Sequence, residues 1–75
     1  MRWPDFRYVV EIAVPERGLR GKHDAMIDFH TRLGITPHQG RRKNEGRRYM
    51  RWRFADLTTA RKFARQFGGS LVTRR

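Results

Sequence analysis

The sequence predicts a single α+β domain with the element order β-α-β-β-α-β, and three observations carry that expectation. Apolar residues alternate with polar ones over Phe6 to Val14 and again over Arg47 to Ala55, the period of two that marks a half-buried strand. Two stretches with helical spacing, Lys22 to Leu33 and the segment after Asp56, are each closed by glycine, at Gly34 and at Gly68-Gly69. At 75 residues and 37% hydrophobic content, the chain has material for one core. A domain of that size buries only about 60% of the surface its unfolded form exposes, which leaves residues 1–75 as one domain.

In the first strand the even positions Phe6, Tyr8, Val10, Ile12 and Val14 are all apolar and point to a core, while Asp5, Arg7, Val9 and Glu11 take the other face. Pro15, Gly18 and Gly21 then break the alternation. On a wheel of about 100° per residue, Met26, Phe29, His30 and Leu33 share one arc of the first helix, with Asp24, Asp28, Thr31 and Arg32 opposite. Asp24 suits the positive end of the helix dipole, and Asp28 precedes Arg32 by four residues, an ion-pair spacing rather than a catalytic carboxylate pair. His30, on the apolar arc, reads as a core residue and not a ligand, and His23 and His38 have no convincing partners.

Ile35 to Arg42 predicts a second strand. Pro37 and Gly40 interrupt it, which assigns it to an edge, because proline cannot donate to a central ladder. Asn44-Glu45-Gly46 is a turn. The third strand alternates cleanly, Met50, Trp52 and Phe54 toward the core and Arg47, Tyr49, Arg51 and Arg53 away from it. Asp56 then N-caps a second helix whose buried stripe is Leu57, Ala60, Phe63, Ala64 and Phe67, and Ser70 to Thr73 makes a last strand. This order is the split βαβ or ferredoxin-like arrangement, a four-stranded antiparallel sheet with two helices on one face. With the first and third strands central, Arg7, Val9 and Glu11 would lie beside Tyr49, Arg51 and Arg53 on the uncovered face.

Charge is the main pointer to function. Eighteen Lys and Arg against seven Asp and Glu leave a formal net charge of +11, so the surface attracts polyanions, of which nucleic acid is the commonest. Arg41, Arg42, Lys43, Arg47, Arg48, Arg51 and Arg53 crowd one short segment against a single acid, Glu45, with Tyr49 and Trp52 among them. A GC-rich coding genome supplies arginine without selection for binding, but it does not explain the scarcity of acids. The candidate nucleic-acid contacts are Arg41, Arg42, Lys43, Arg47, Arg51 and Arg53 for phosphates and Tyr49 for stacking on a base. Two geometries remain open, an open sheet face or the hairpin entering a duplex groove as a two-stranded ribbon. Arg61, Lys62 and Arg65 on the second helix read as a solvated face.

A second candidate is the loop before the first helix, where Arg20, Gly21 and Lys22 bring cations and backbone N–H groups to a helix N-terminus, an anion-binding arrangement. Its competing interpretation is a crossover loop whose glycines permit tight turns. Other chemistries find little support. Without cysteine the chain has neither a disulfide nor the thiolate ligands of a typical structural zinc site, and no catalytic residue, metal or cofactor is expected. The longest apolar run is too short for a signal segment or a membrane span, so a soluble cytoplasmic protein is expected.

Three resemblances attach to these residues. In topology the chain resembles the RNA-recognition module, whose third strand carries a Lys/Arg-Gly-aromatic-Gly/Ala-aromatic-aliphatic-x-aromatic pattern. On that pattern Arg47 and Tyr49 match exposed positions and Phe54 a buried one; Arg48 and Met50 replace small residues and Arg51 replaces the second aromatic. The first strand offers Val9 where an aromatic would stack. What the resemblance implies is weakly selective, phosphate-dominated binding of RNA or DNA. Gly18-Leu19-Arg20-Gly21 partly resembles the phosphate-cradling Gly-x-Val-Gln-Gly-Val segment of acylphosphatases, small hydrolases of the same topology. Lys22 or His23, and Thr36 or His38, stand where that family has its orienting arginine and asparagine. Finally, Arg53-Phe54-Ala55-Asp56 with Ala60, Phe63, Phe67 and Gly68-Gly69 looks like the ending of short uncharacterised bacterial proteins, which implies a bacterial source and no particular activity. From a different functional class, a homodimer or a protein partner could use the open sheet face; like-charged sheets would then need Glu11, an acidic partner or anions between them.

Overall fold

The computed structural model describes residues 7–73. Strand β1 (Tyr8–Ala13), helix α1 (Gly21–Leu33), strands β2 (Gln39–Asn44) and β3 (Arg47–Phe54), helix α2 (Leu57–Phe67) and strand β4 (Ser70–Thr73) follow in the expected order. They build one antiparallel sheet, β2-β3-β1-β4, in the ferredoxin-like arrangement. Val10 pairs with Trp52 and Ile12 with Met50, so the even residues of the two central strands share one face. Phe6, assigned to the first strand by its parity, lies outside the described residues.

Both helices bury their apolar arcs against that face. Met26 and His30 from α1, Ala60 and Phe63 from α2, and Val10, Ile12, Trp52 and Phe54 from the sheet form one core. Phe63 holds it together: its ring centroid lies 5.1 Å from those of Phe29 and Phe54, 5.4 Å from Trp52 and 4.8 Å from Phe67, all tilted or edge-on. Capping follows the sequence. The Asp56 carboxylate accepts from the Thr59 amide at 2.8 Å and its hydroxyl at 2.9 Å, which holds the Asp56 carboxyl below its usual range. Gly34 and Gly68 end the helices in the left-handed conformation.

Four expectations need correction. Leu33 lies in the last turn of α1, outside the core cluster, and is 50% exposed. The second strand starts at Gln39, not Ile35, because the Ile35 amide donates to the His30 carbonyl and closes α1, and Pro37 has no amide to donate. The strand also runs on through Asn44. The turn is thereby reduced to Glu45-Gly46, both with positive φ (52° and 79°), the backbone of a type I′ hairpin. β3 stops at Phe54, one residue before Ala55. Val9 keeps its place on the face away from the helices, but it is only 6% exposed, flanked by Arg53 and Val72 on the adjacent strands.

Candidate nucleic-acid interface

The β2–β3 hairpin brings together most of the basic segment. β2 is the edge strand, paired with β3 on one side only, and α1 reaches it at its first residue, where His23 Nε2 lies 3.3 Å from Gln39 Oε1. Every residue from Arg41 to Arg48 is consequently exposed. Pairing of Arg42 with Tyr49 and of Gly40 with Arg51 places Arg42, Arg47, Tyr49, Arg51 and Arg53 on the open face. Pairing of Arg41 with Met50 and of Lys43 with Arg48 places Arg41, Lys43 and Arg48 on the helix side. The seven cations of the hairpin therefore occupy both of its faces rather than one.

The open face is partly self-neutralised. Arg51 Nε donates to Glu11 Oε2 at 2.6 Å and Arg42 Nη1 donates to the same oxygen at 3.0 Å, so one carboxylate ties three adjacent strands. Burial raises the Glu11 carboxyl, but the hydrogen bonds and charges of Arg51 and Arg42 outweigh it and hold the group below its ordinary value of 4.5. Arg47 and Arg53 form no such pair among the described residues. Tyr49, opposite Ala13, is half-buried, which limits the single stacking surface expected from the sequence. Trp52 is fully buried and adds nothing to the surface.

The loop before α1 behaves differently from a backbone cradle. The Lys22 and His23 amides already donate to the Leu19 and Arg20 carbonyls at 3.0 and 3.3 Å, so two of the helix's leading donors are spent. Arg20 forms the N-terminal boundary at φ 49°, ψ −130°, with no side-chain cap. It lines a cavity of about 690 Å³ together with Arg41, Arg42, Lys43 and Arg48, with Leu19, Tyr49 and Met50 also bordering it. Neither Gly21 nor Lys22 lines it. Thr36 and His38 belong to a separate cavity of about 380 Å³, bordered by Asp56 and Thr59. The positions that correspond to the acylphosphatase loop and asparagine are thus not brought into one site.

Arg48 was the functional candidate missed from sequence. Its even parity with Met50 and Trp52 would have placed it on the helix side, but nothing local shows that Arg20, some thirty residues earlier, meets it there. Among the described residues no group of three or more His, Cys, Asp or Glu side chains is arranged to hold a metal ion, and no helix is long and apolar enough to cross a membrane. The fold and surface define a small ferredoxin-like α+β domain with a basic, two-sided hairpin. No protein family, curated protein or solved structure matches this chain.

Proposed function

We propose that this chain binds nucleic acid, RNA or DNA, chiefly through phosphate contacts made by its β2–β3 hairpin. The supporting observation is the turn end of the edge hairpin, exposed at every residue from Arg41 to Arg48, with Arg42, Arg47 and Arg53 on one face and Arg41, Lys43 and Arg48 on the other. A ribbon with cations on both faces inserted into a groove meets a phosphate wall on each side, a geometry that the major groove of B-form DNA admits. Base-specific recognition contributes little, because Tyr49 is half-buried and, among the described residues, no second aromatic accompanies it on the face. The reading places the chain in a bacterial cytoplasm and assigns it no catalytic activity.

Fluorescence anisotropy with single- and double-stranded oligonucleotides at two salt concentrations tests this. Micromolar affinity at low salt is expected, falling steeply as salt rises. The triple variant Arg42→Gln, Arg47→Gln, Arg53→Gln should reduce the salt slope by about two units, from Arg47 and Arg53, because Glu11 already holds Arg42. Stronger binding to duplex DNA favours the ribbon geometry, and stronger binding to single strands favours the sheet face. Absence of micromolar binding at low salt, or unchanged affinity in the triple variant, overturns the proposal. The rival, self-association through the open face, loses support because Glu11 is already held by Arg42 and Arg51 within one chain. Light scattering distinguishes it.

A further inference from the structure

We infer that the cavity between the start of α1 and the helix side of the hairpin is a binding site for a phosphate monoester carried on a flat apolar body, as in a nucleotide. Arg20, Arg41, Lys43 and Arg48 converge on this cavity from two separate segments, and no acidic residue lines it. None of the four forms an ion pair among the described residues, so their mutual repulsion goes uncompensated within the fold. A bound anion would relieve that repulsion.

The size and floor of the cavity narrow the choice. About 690 Å³ falls within the range of small-ligand sites, roughly 300 to 1,000 Å³. Leu19 and Met50 give its lining an apolar part, and arginines, also in the lining, are suited to hold phosphate oxygens in paired hydrogen bonds. With the Lys22 and His23 amides already bonded, recognition falls to the side chains. A terminal phosphate, with its two charges, gains more from cations gathered around one hollow than a singly charged diester unit does. Arg42 borders the cavity as well, whereas Arg47 and Arg53 do not, so those two open-face cations serve as controls for the site.

Two sources could supply this chemistry, a free nucleotide or the 5′ end of a strand. Calorimetry comparing adenosine 5′-monophosphate with adenosine, and one short oligonucleotide with and without a 5′-phosphate, separates them. In at least one pair the phosphate should raise affinity about tenfold, the gain of one charge-assisted contact, and the pair that shows it names the source. Arg20→Gln and Arg48→Gln, each checked for native circular dichroism, should abolish that gain, whereas Arg53→Gln should leave it intact. The inference is overturned if neither phosphate improves binding, or if the gain survives in both cavity variants. Either result can coexist with salt-dependent binding of unphosphorylated strands, so failure here is distinguishable from failure of the hairpin proposal.

Discussion

Glu11 and Arg51 face each other across the two central strands, and the guanidinium donates to the carboxylate at 2.6 Å, with both side chains largely withdrawn from solvent (15% and 21% exposed). The contact takes Arg51, and through the same oxygen Arg42, out of the pool of free cations. It gives an otherwise repulsive arginine cluster a structural counterion.

Replacement Glu11→Gln should therefore tighten nucleic-acid binding while weakening the fold. Two arginines are released, and the salt slope should steepen by about one to two units in anisotropy titrations. Stability should drop by about 1 kcal/mol in urea melts, the scale of a partly exposed ion pair. Because the folded carboxyl lies below its ordinary 4.5, the wild-type advantage is complete above that pH and is lost as pH falls through the folded value.

His30 provides a second pH effect with a different window. Its Nδ1 donates to the Met26 carbonyl at 2.8 Å, while Nε2 is buried with no partner beside the rings of Trp52 and Phe54. Burial lowers its pKa below 6.5 and the positive potential of His38 adds to this, against an opposing effect of the Met26 bond. The unfolded chain thus takes up a proton first as pH drops. Stability is fully present above about 6.5 and declines below it, and His30→Phe should flatten that part of the curve in thermal melts at pH 5 to 7.

Gly69 should tolerate no side chain. A Cβ there would lie 2.7 Å from Val10 Cγ1, 2.9 Å from Ile12 Cγ1 and 3.0 Å from the Glu11 carbonyl, where the chain leaving α2 crosses β1. Gly69→Ala is expected to destabilise by about 1 to 3 kcal/mol in chemical denaturation, an overpacking penalty in a central part of the sheet.

Glu45 sits at the first position of the hairpin turn with φ 52°, a conformation that asparagine adopts more readily. Glu45→Asn should stabilise the domain by about 0.5 to 1 kcal/mol, measured by urea melts. It also removes the one acid of the basic segment, so affinity for nucleic acid should rise in parallel.

Where alternation or capping chemistry was strong, local pattern and final structure agree. β1, β3, the Asp56 cap and the glycine stops are set by interactions within a few residues; the cap and stops appear where the pattern puts them, and the two strands keep their registers but end one residue early, at Ala13 and Phe54. β2 is the weak point. Its residues, Gln39 to Asn44, are polar throughout, so no apolar period marks its limits, and the amide of Ile35 was claimed by α1. The candidate site was legible as a set of charges but not as an arrangement. Arg41 and Arg42 are neighbours in the chain yet fall on opposite faces of the sheet.

By itself the sequence determined the element order, the helix ends, the buried faces of the central strands and the strong positive charge, all consequences of local periodicity and composition. Tertiary structure alone decided which cations are free. Pairing of β1 with β3 brings Glu11 to Arg51, forty residues away, and the packing of the α1 loop against the hairpin brings Arg20 to the cavity that Arg48 lines. Such partners are chosen by strand register and by the crossing of distant segments, which no local spacing encodes.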